Sequence, residues 1–306
     1  MLCAMLECVP NVSEGRDLER LDGLSAACGQ SLVDRHYDVD HHRSVFTLAG
    51  PGPRDAERAI RQLARAVAAN IDMTAHEGVH PRLGALDVVP FVALGPTKAE
   101  QERAIEAAHS FARWWSTAHE VPCFVYDQAD EQGRSLPDIR RRAFRLVAPD
   151  YGPHEPHPTL GATAVSARKP LIAVNCLLLA QDVQPAYRIA RAMRESDGGL
   201  PGVRALGFHL DAIDRSQVSM NLVDLDQTSL ETAVLHVREL AKIERTDVGA
   251  VEVVGLVPAA ELNRCSQEFL RWAQIDADQT IEGRIEQRRV HHGSVAASEA
   301  ESAETN

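Results

Sequence analysis

Alternating or continuous apolar runs mark strands at Leu6–Val12, Ser31–Asp38, Ser44–Ala49 and Leu86–Leu94. Between them the spacing turns helical. "DLERLDGLSAAC" follows Gly15, and "DAERAIRQLARAVAANI" places Ile60, Leu63, Val67 and Ile71 on one face. The order is β-α-β-β-α-β, and it recurs after Leu171. There a strand "LIAVNCLLL" leads to a helix over Val183–Ser196, strands over Val203–Leu210 and Gln217–Val223, a helix from Thr228, and a strand over Ala250–Leu256. The second helix of this copy opens with "TSLE", in which Thr228 and Glu231 predict a capping box.

The repetition is one of order, not of residues. The crossover rule then favours, in each copy, a four-stranded antiparallel sheet covered by two helices. The fold class expected is α+β, with two ferredoxin-like (βαββαβ) subdomains over residues 1–170 and 171–290. Between them Thr97–Pro170 carries a helix opened by a second capping box, "TKAE", a strand "VPCFVY" and a helix "LPDIRRRAF". A Pro-, His- and Gly-rich loop, "APDYGPHEPHPTLGA", closes this stretch; such polar, stiffened loops carry function where they border a cleft. The small, polar and acidic residues 291–306 predict a disordered tail.

Composition narrows the partners. The 306 residues, 44% hydrophobic and 25% charged, suffice for a buried core without staples. A formal net charge of −12 opposes a phosphate backbone, so nucleic acid is not an expected partner. Six scattered cysteines with no C-x-x-C pair read as reduced, mostly buried thiols. No secretory leader opens the chain, and no apolar run approaches the roughly 20 residues needed to cross a bilayer. The expectation is a cytoplasmic protein with no membrane partner.

"HEGVHPR", His76–Arg82, contains the zinc-protease pattern H-E-x-x-H. That chemistry needs both histidines on one helical face. Gly78 weakens a helix by about 1 kcal/mol, and Pro81 pushes His80 out of the helical region. The segment therefore predicts a loop entering a strand, and no metal is expected. His80 is then either a structural histidine bonded to a carbonyl or a proton carrier, since a neutral imidazole with a pKa of about 6.5 suits proton transfer near neutrality. Arg82 offers a fork for a carboxylate.

Many blocks in collinear order resemble the formiminotransferase domain family. They include "ECVPNVSEGR" (7–16), "HRSVFTLAG" (42–50), "H.GVHPRLGALDVVPF" (76–91), "LPDIR" (136–140), "APDYGP" (148–153), "HPTLGATAVSARKPLIAVN" (157–175), "GLPGVRALG" (199–207), "QVSMNLVD" (217–224) and "EVVGLVP" (252–258). The resemblance spans most of 6–258 and implies a single formiminotransferase-type unit, the bacterial form without a cyclodeaminase domain. It implies transfer of the formimino group of N-formimino-L-glutamate to tetrahydrofolate as co-substrate, with no metal, and makes a homodimer the expected assembly.

By the same resemblance His80, in "HPR", is the catalytic proton carrier. The folate-binding loop falls on Gly152, Pro153, His154, Glu155, Pro156, His157, Pro158, Thr159, Leu160 and Gly161. A pteridine nitrogen attacks the amidine carbon, and the glutamate nitrogen is protonated before it leaves. One group that takes a proton and returns it nearby is sufficient for this, so no cysteine nucleophile is assigned and Cys176 is read as strand packing. Arg43, Arg82 and Arg168, in matched blocks, are candidates for the substrate carboxylates. Asn175 and Asn221 are read as satisfying backbone groups.

The chain departs from the pattern at His36, where the animal enzymes carry Asp, and at His42, where many members have Asn. The stretch around 141–147 is also shorter. Formyl transfer or a different amine on the same scaffold are alternatives that substrate profiling separates; a non-catalytic folate-binding protein is a third, marked by folate binding that survives His80→Ala with no turnover in the parent.

Overall fold

Proline breaks the first strand. In the computed structural model, which describes residues 5–78, 82–95, 97–276 and 278–288, the run read as one strand forms β1 (Leu6–Cys8) and β2 (Asn11–Val12). Pro10 has no N–H to give to a ladder. Both pieces nevertheless lie between the same two neighbours.

The chain divides into two compact units, one of the residues up to Arg168 joined by the segment from Arg284, the other of Lys169–Gly283. In the first, α1 (Leu18–Cys28) is capped by the Asp17 side chain on the Arg20 amide. After it come β3 (Leu32–Asp38), β4 (Arg43–Leu48), α2 (Asp55–Asn70) and β5 (Leu86–Ala93). The α2 face expected from spacing is the buried one: Ile60, Leu63 and Val67 are fully covered and Ile71 nearly so.

Next come α3 (Lys98–His119), β6 (Cys123–Asp127), α4 (Leu136–Arg142) and β7 (Thr163–Arg168). The Thr97–Glu100 capping box opens α3 as its sequence predicts. Strands run in the order β3, β4, the broken β1/β2, β5, β7, β6.

This sheet corrects the four-stranded expectation. β7 pairs parallel to β5 and β6 pairs parallel to β7, so two further strands extend the antiparallel part. α3 lies over that extension: Ala104, Ala107, Ala108 and Ala112 let it approach closely, Phe111 and Trp115 fill the core, and Trp115 Nε1 donates to Thr163 Oγ1 at 3.0 Å. β7, "TAVSAR", offers small residues, one Val and a terminal Arg to a periodicity reading.

Strand alternation sends Phe46, Val89, Phe91 and Val165 to the helix-covered core. On the other face Ile139 of α4 packs with Val88, Phe124, Tyr126 and Ala164. Arg43, Ser166 and Arg168 share the alternation of that second face, beside this small cluster.

The second unit contains β8 (Ile172–Leu178), α5 (Val183–Met193), β9 (Val203–Leu210), β10 (Arg215–Leu222), α6 (Leu230–Ile243), β11 (Val248–Val254), α7 (Ala259–Leu262) and α8 (Gln267–Ala273). Its strand order is β11-β8-β10-β9, every pair antiparallel.

Two local expectations fail here. The α6 cap is Ser229, not Thr228, whose hydroxyl donates to Pro201 O. Glu231 turns away from the cap to accept from the amide and hydroxyl of Ser266. Asn175 bonds the Glu252 carboxylate across two strands rather than a backbone group, and Asn221 is exposed. Cys176 packs in this core, where burial pushes its thiol up to about 12. Cys8, Cys28, Cys123 and Cys265 are also buried and unpaired. Among the described residues no helix is long and apolar enough to cross a membrane. The tail expected at 291–306 lies outside the described residues.

Candidate active site

A β-bulge builds the centre of the site. Asn11 pairs with Val88 and Val12 with Leu86, so Asp87 is the extra residue on β5. Bulges re-aim a side chain out of the strand's alternation. Here the carboxylate, 1% exposed, accepts the Leu83 amide at 2.6 Å and Arg140 Nη2 at 2.5 Å.

Three guanidiniums share its field. Burial lowers the pKa of Arg43 to about 10; Asp87 opposes that shift, and Arg140 and Arg82 add to it. Arg82 is also lowered, by burial first and then by Arg140 and Arg16, against Asp87. Arg43 donates to Asn11 Oδ1. Arg168 belongs to a neighbouring set: burial lowers its pKa against Tyr126, Glu7 and Asp127. Tyr126 links the two, since both Arg140 and Arg168 act on it. Arg43 and Arg82 thus meet around Asp87, and Arg168 stands one strand beyond.

Gly78 shapes the irregular segment His76–Gly78. His76–Gly78 is irregular, following a 3₁₀ turn over Met73–Ala75. A Cβ on Gly78 would sit 2.6 Å from the His41 carbonyl oxygen and 2.5 Å from Arg82 Nη2. The bare glycine lets Arg82 reach across and donate to the carbonyls of His41 (2.9 Å) and His42 (3.2 Å). His80 lies outside the described residues. Among those described, no three His, Cys, Asp or Glu side chains gather as a metal site requires.

Beside this anchor sits Glu14, 2% exposed. Its Oε1 accepts the amides of Gly15 (2.9 Å), Arg16 (2.9 Å) and Asp17 (3.1 Å), and its Oε2 accepts Arg20 Nη1 at 2.6 Å. His42 Nε2 lies 3.1 Å from Oε1. Burial pushes this carboxyl up, but the Arg16 and Asp17 amides, Arg20 and His42 outweigh it and hold it at about 2. An ordinary Glu titrates at 4.5. The depressed folded value makes Glu14 a source of about 3 kcal/mol of stability, present above that ordinary pKa and lost as pH falls toward 2. Urea unfolding from pH 7 to 3 is expected to show this loss, and Glu14→Gln to flatten it.

His42 adopts φ +48, a left-handed conformation in which His and Asn are enriched, which accounts for either residue serving at this turn. Its Nδ1 lies 2.7 Å from the Glu77 carbonyl oxygen, and its ring stacks on His76 at 4.1 Å between centroids.

The Pro/His/Gly loop docks on the same edge. His157 and Gly161 exchange backbone hydrogen bonds, and His157 Nδ1 accepts the Leu160 amide at 3.1 Å. Leu160 O accepts from Ala85, Leu83 O from Ala162, and Thr159 O from Met73. Residues 157–161 are thereby fastened beside the 73–85 segment, while Pro153, His154, Glu155 and Pro156 are exposed. Gly161 has φ +69, and a Cβ there would lie 2.4 Å from Leu83 O. Gly161→Ala is expected to cost about 1–3 kcal/mol and to unfasten the loop. Faster hydrogen exchange at the Ala85 and Ala162 amides reads that release.

Glu14, Asp87, Tyr126 and Arg140 were not singled out in the sequence, and His76 only as half of the H-E-x-x-H pattern. All five stand inside quoted segments, but their roles depend on the bulge and on partners far along the chain.

The formiminotransferase domain family matches this chain in two parts, its N-terminal subdomain over residues 5–168 and the formiminotransferase domain over 173–290. The chain belongs to the formiminotransferase family. A glutamate formimidoyltransferase of Streptococcus pyogenes serotype M1 is 34% identical to this chain over 295 residues, covering 92% of this chain and 98% of that protein. One from Thermoplasma acidophilum is 33% identical over 304 residues, with the same coverage of each. The formimidoyltransferase-cyclodeaminase of Sus scrofa is 35% identical over 280 residues, 84% of this chain and 51% of that one.

Proposed function

We propose that this protein transfers the formimino group of N-formimino-L-glutamate to tetrahydrofolate, giving 5-formiminotetrahydrofolate and glutamate. The observation that carries the reading is its match, nearly end to end, to two proteins named glutamate formimidoyltransferase.

The residues present fit such substrates. Both carry glutamate carboxylates, and Arg43, Arg82 and Arg140 set a positive field around Asp87 in a chain of net charge −12. Arg82 spends part of its fork on the His41 and His42 carbonyls, so its role is partly to hold that turn. Arg43 and Arg140 are the cations assigned to a carboxylate, with Arg168 beyond them. The loop 152–161 supplies the folate side, its inner half fastened to the strand edge and its outer half open.

His80 takes the proton from the attacking pteridine nitrogen and returns it to the departing glutamate nitrogen as the new carbon–nitrogen bond forms and the old one breaks. The assembly read from the family is a homodimer and the setting cytoplasmic. Incubation of the purified protein with N-formimino-L-glutamate and tetrahydrofolate is expected to release glutamate and form the folate product together. A folded protein that binds tetrahydrofolate and releases no glutamate would refute this transfer and leave other donors on the same scaffold.

A further inference from the structure

His42 and His76 form a stacked pair whose two rings have opposite needs. Both nitrogens of His42 face oxygen atoms that only accept: the Glu77 carbonyl at 2.7 Å and Glu14 Oε1 at 3.1 Å. Glu14 cannot supply the hydrogen, since three backbone amides and Arg20 already donate to its ionised carboxylate. Two acceptors facing one ring hold His42 at both nitrogens, so its place in the stack is fixed from either side.

His76, stacked 4.1 Å away, faces His42, Arg82 and Arg16, with Glu14 the nearby acid. Burial and these cations lower its pKa to about 4, so it is neutral near pH 7. Its Nε2 is buried and has no hydrogen-bond partner among the described residues. A desolvated polar atom left open in this way is costly unless something arrives to meet it.

We propose that His76 Nε2 is a folate contact, accepting a hydrogen bond from a neutral N–H of the pteridine ring, and that His42, held between Glu14 and the Glu77 carbonyl, is the positioning element that keeps His76 stacked and open. The surrounding cations select the class of donor. A protonated amidine, as in the formimino donor, would be repelled, whereas a pteridine amide or amino N–H is uncharged. The fastened loop is adjacent, for Thr159 O accepts the amide of Met73, three residues before His76. This inference rests on the reading of the protein as folate-dependent.

The test uses the full chain with ¹⁵N-labelled histidine and tetrahydrofolate as probe. Near pH 7, imidazole ¹⁵N shifts are expected to give His76 protonated on one nitrogen. Adding tetrahydrofolate is expected to move the unprotonated nitrogen of His76, and adding N-formimino-L-glutamate alone to leave it in place. His76→Ala is expected to weaken tetrahydrofolate binding about tenfold, the scale of one hydrogen bond to a buried group. KM for folate rises with it while kcat holds, and His76→Gln restores most of the affinity. In His42→Leu, which removes the stacked ring, the change that tetrahydrofolate produces at His76 is expected to shrink.

A His76 signal unmoved by bound tetrahydrofolate overturns the inference even if the transfer proceeds. A protein that binds tetrahydrofolate with the expected His76 response but does not turn over the formimino donor refutes the transfer and leaves the inference standing. Failure to bind tetrahydrofolate refutes both.

Discussion

Asp87→Ala is expected to destabilise the protein by about 3–5 kcal/mol, the range for removing one partner of a buried ion pair. The carboxylate is 1% exposed and is the acceptor for both Arg140 and the Leu83 amide. Without it, Arg140 is left in a largely buried position facing the positive fields of Arg43 and Arg82. Urea unfolding is expected to show a lower midpoint at unchanged slope. Asp87→Asn, which keeps an acceptor for Leu83, is expected to lose less. Arg141→Ala, whose pair with Asp138 is exposed, is expected to change stability by at most about 1 kcal/mol. Equal effects of the Asp87 and Arg141 changes would remove the buried cluster as the organiser of the site.

His80→Ala is expected to lower kcat by about 10²–10⁴, the scale of general acid–base catalysis, with tetrahydrofolate binding retained. The residues flanking it are fixed to one turn: Gly78 packs against the His41 carbonyl, and Arg82 donates to the carbonyls of His41 and His42. Neither of these contacts uses the His80 side chain, so its removal is expected to spare the scaffold. Single-turnover kinetics beside folate titration separates the two effects. A variant that retains full kcat would take His80 out of the mechanism.

How far the sequence alone reaches depends on the distance over which each feature is determined. Elements whose cause is local are legible from it: the apolar face of α2, the Thr97–Glu100 capping box, and the non-helical course of His76–Gly78, where Gly78 disfavours a helix. Where two adjacent residues compete for one role, as Thr228 and Ser229 do for the α6 cap, the choice is made by Pro201 and Ser266, far along the chain.

β7 escapes because small residues give periodicity little to grip. The site centre escapes for a different reason. Asp87 owes its position to a register shift against β2, and Glu14 owes its charge to amides of its own turn and to His42, 28 residues on. Neither cause is written in the spacing of residue types. The family resemblance supplies the loop at 152–161 and the candidate arginines, and the hydrogen bonds supply the reason its inner half lies beside the 73–85 segment.

The order of strands in the first sheet also bears on how the chain comes into being. β6 is synthesised before β7, yet β7 is the strand that joins it to β5, with Val88 opposite Ala164 and Phe124 opposite that same residue. Until the ribosome has passed Arg168, β6 has no neighbour in its final sheet. At about 5–20 residues per second that leaves an apolar strand, "CFVY", waiting for a few seconds in every round of translation. The nascent chain is most open to misassociation in that interval, and chaperone dependence of its synthesis should concentrate there.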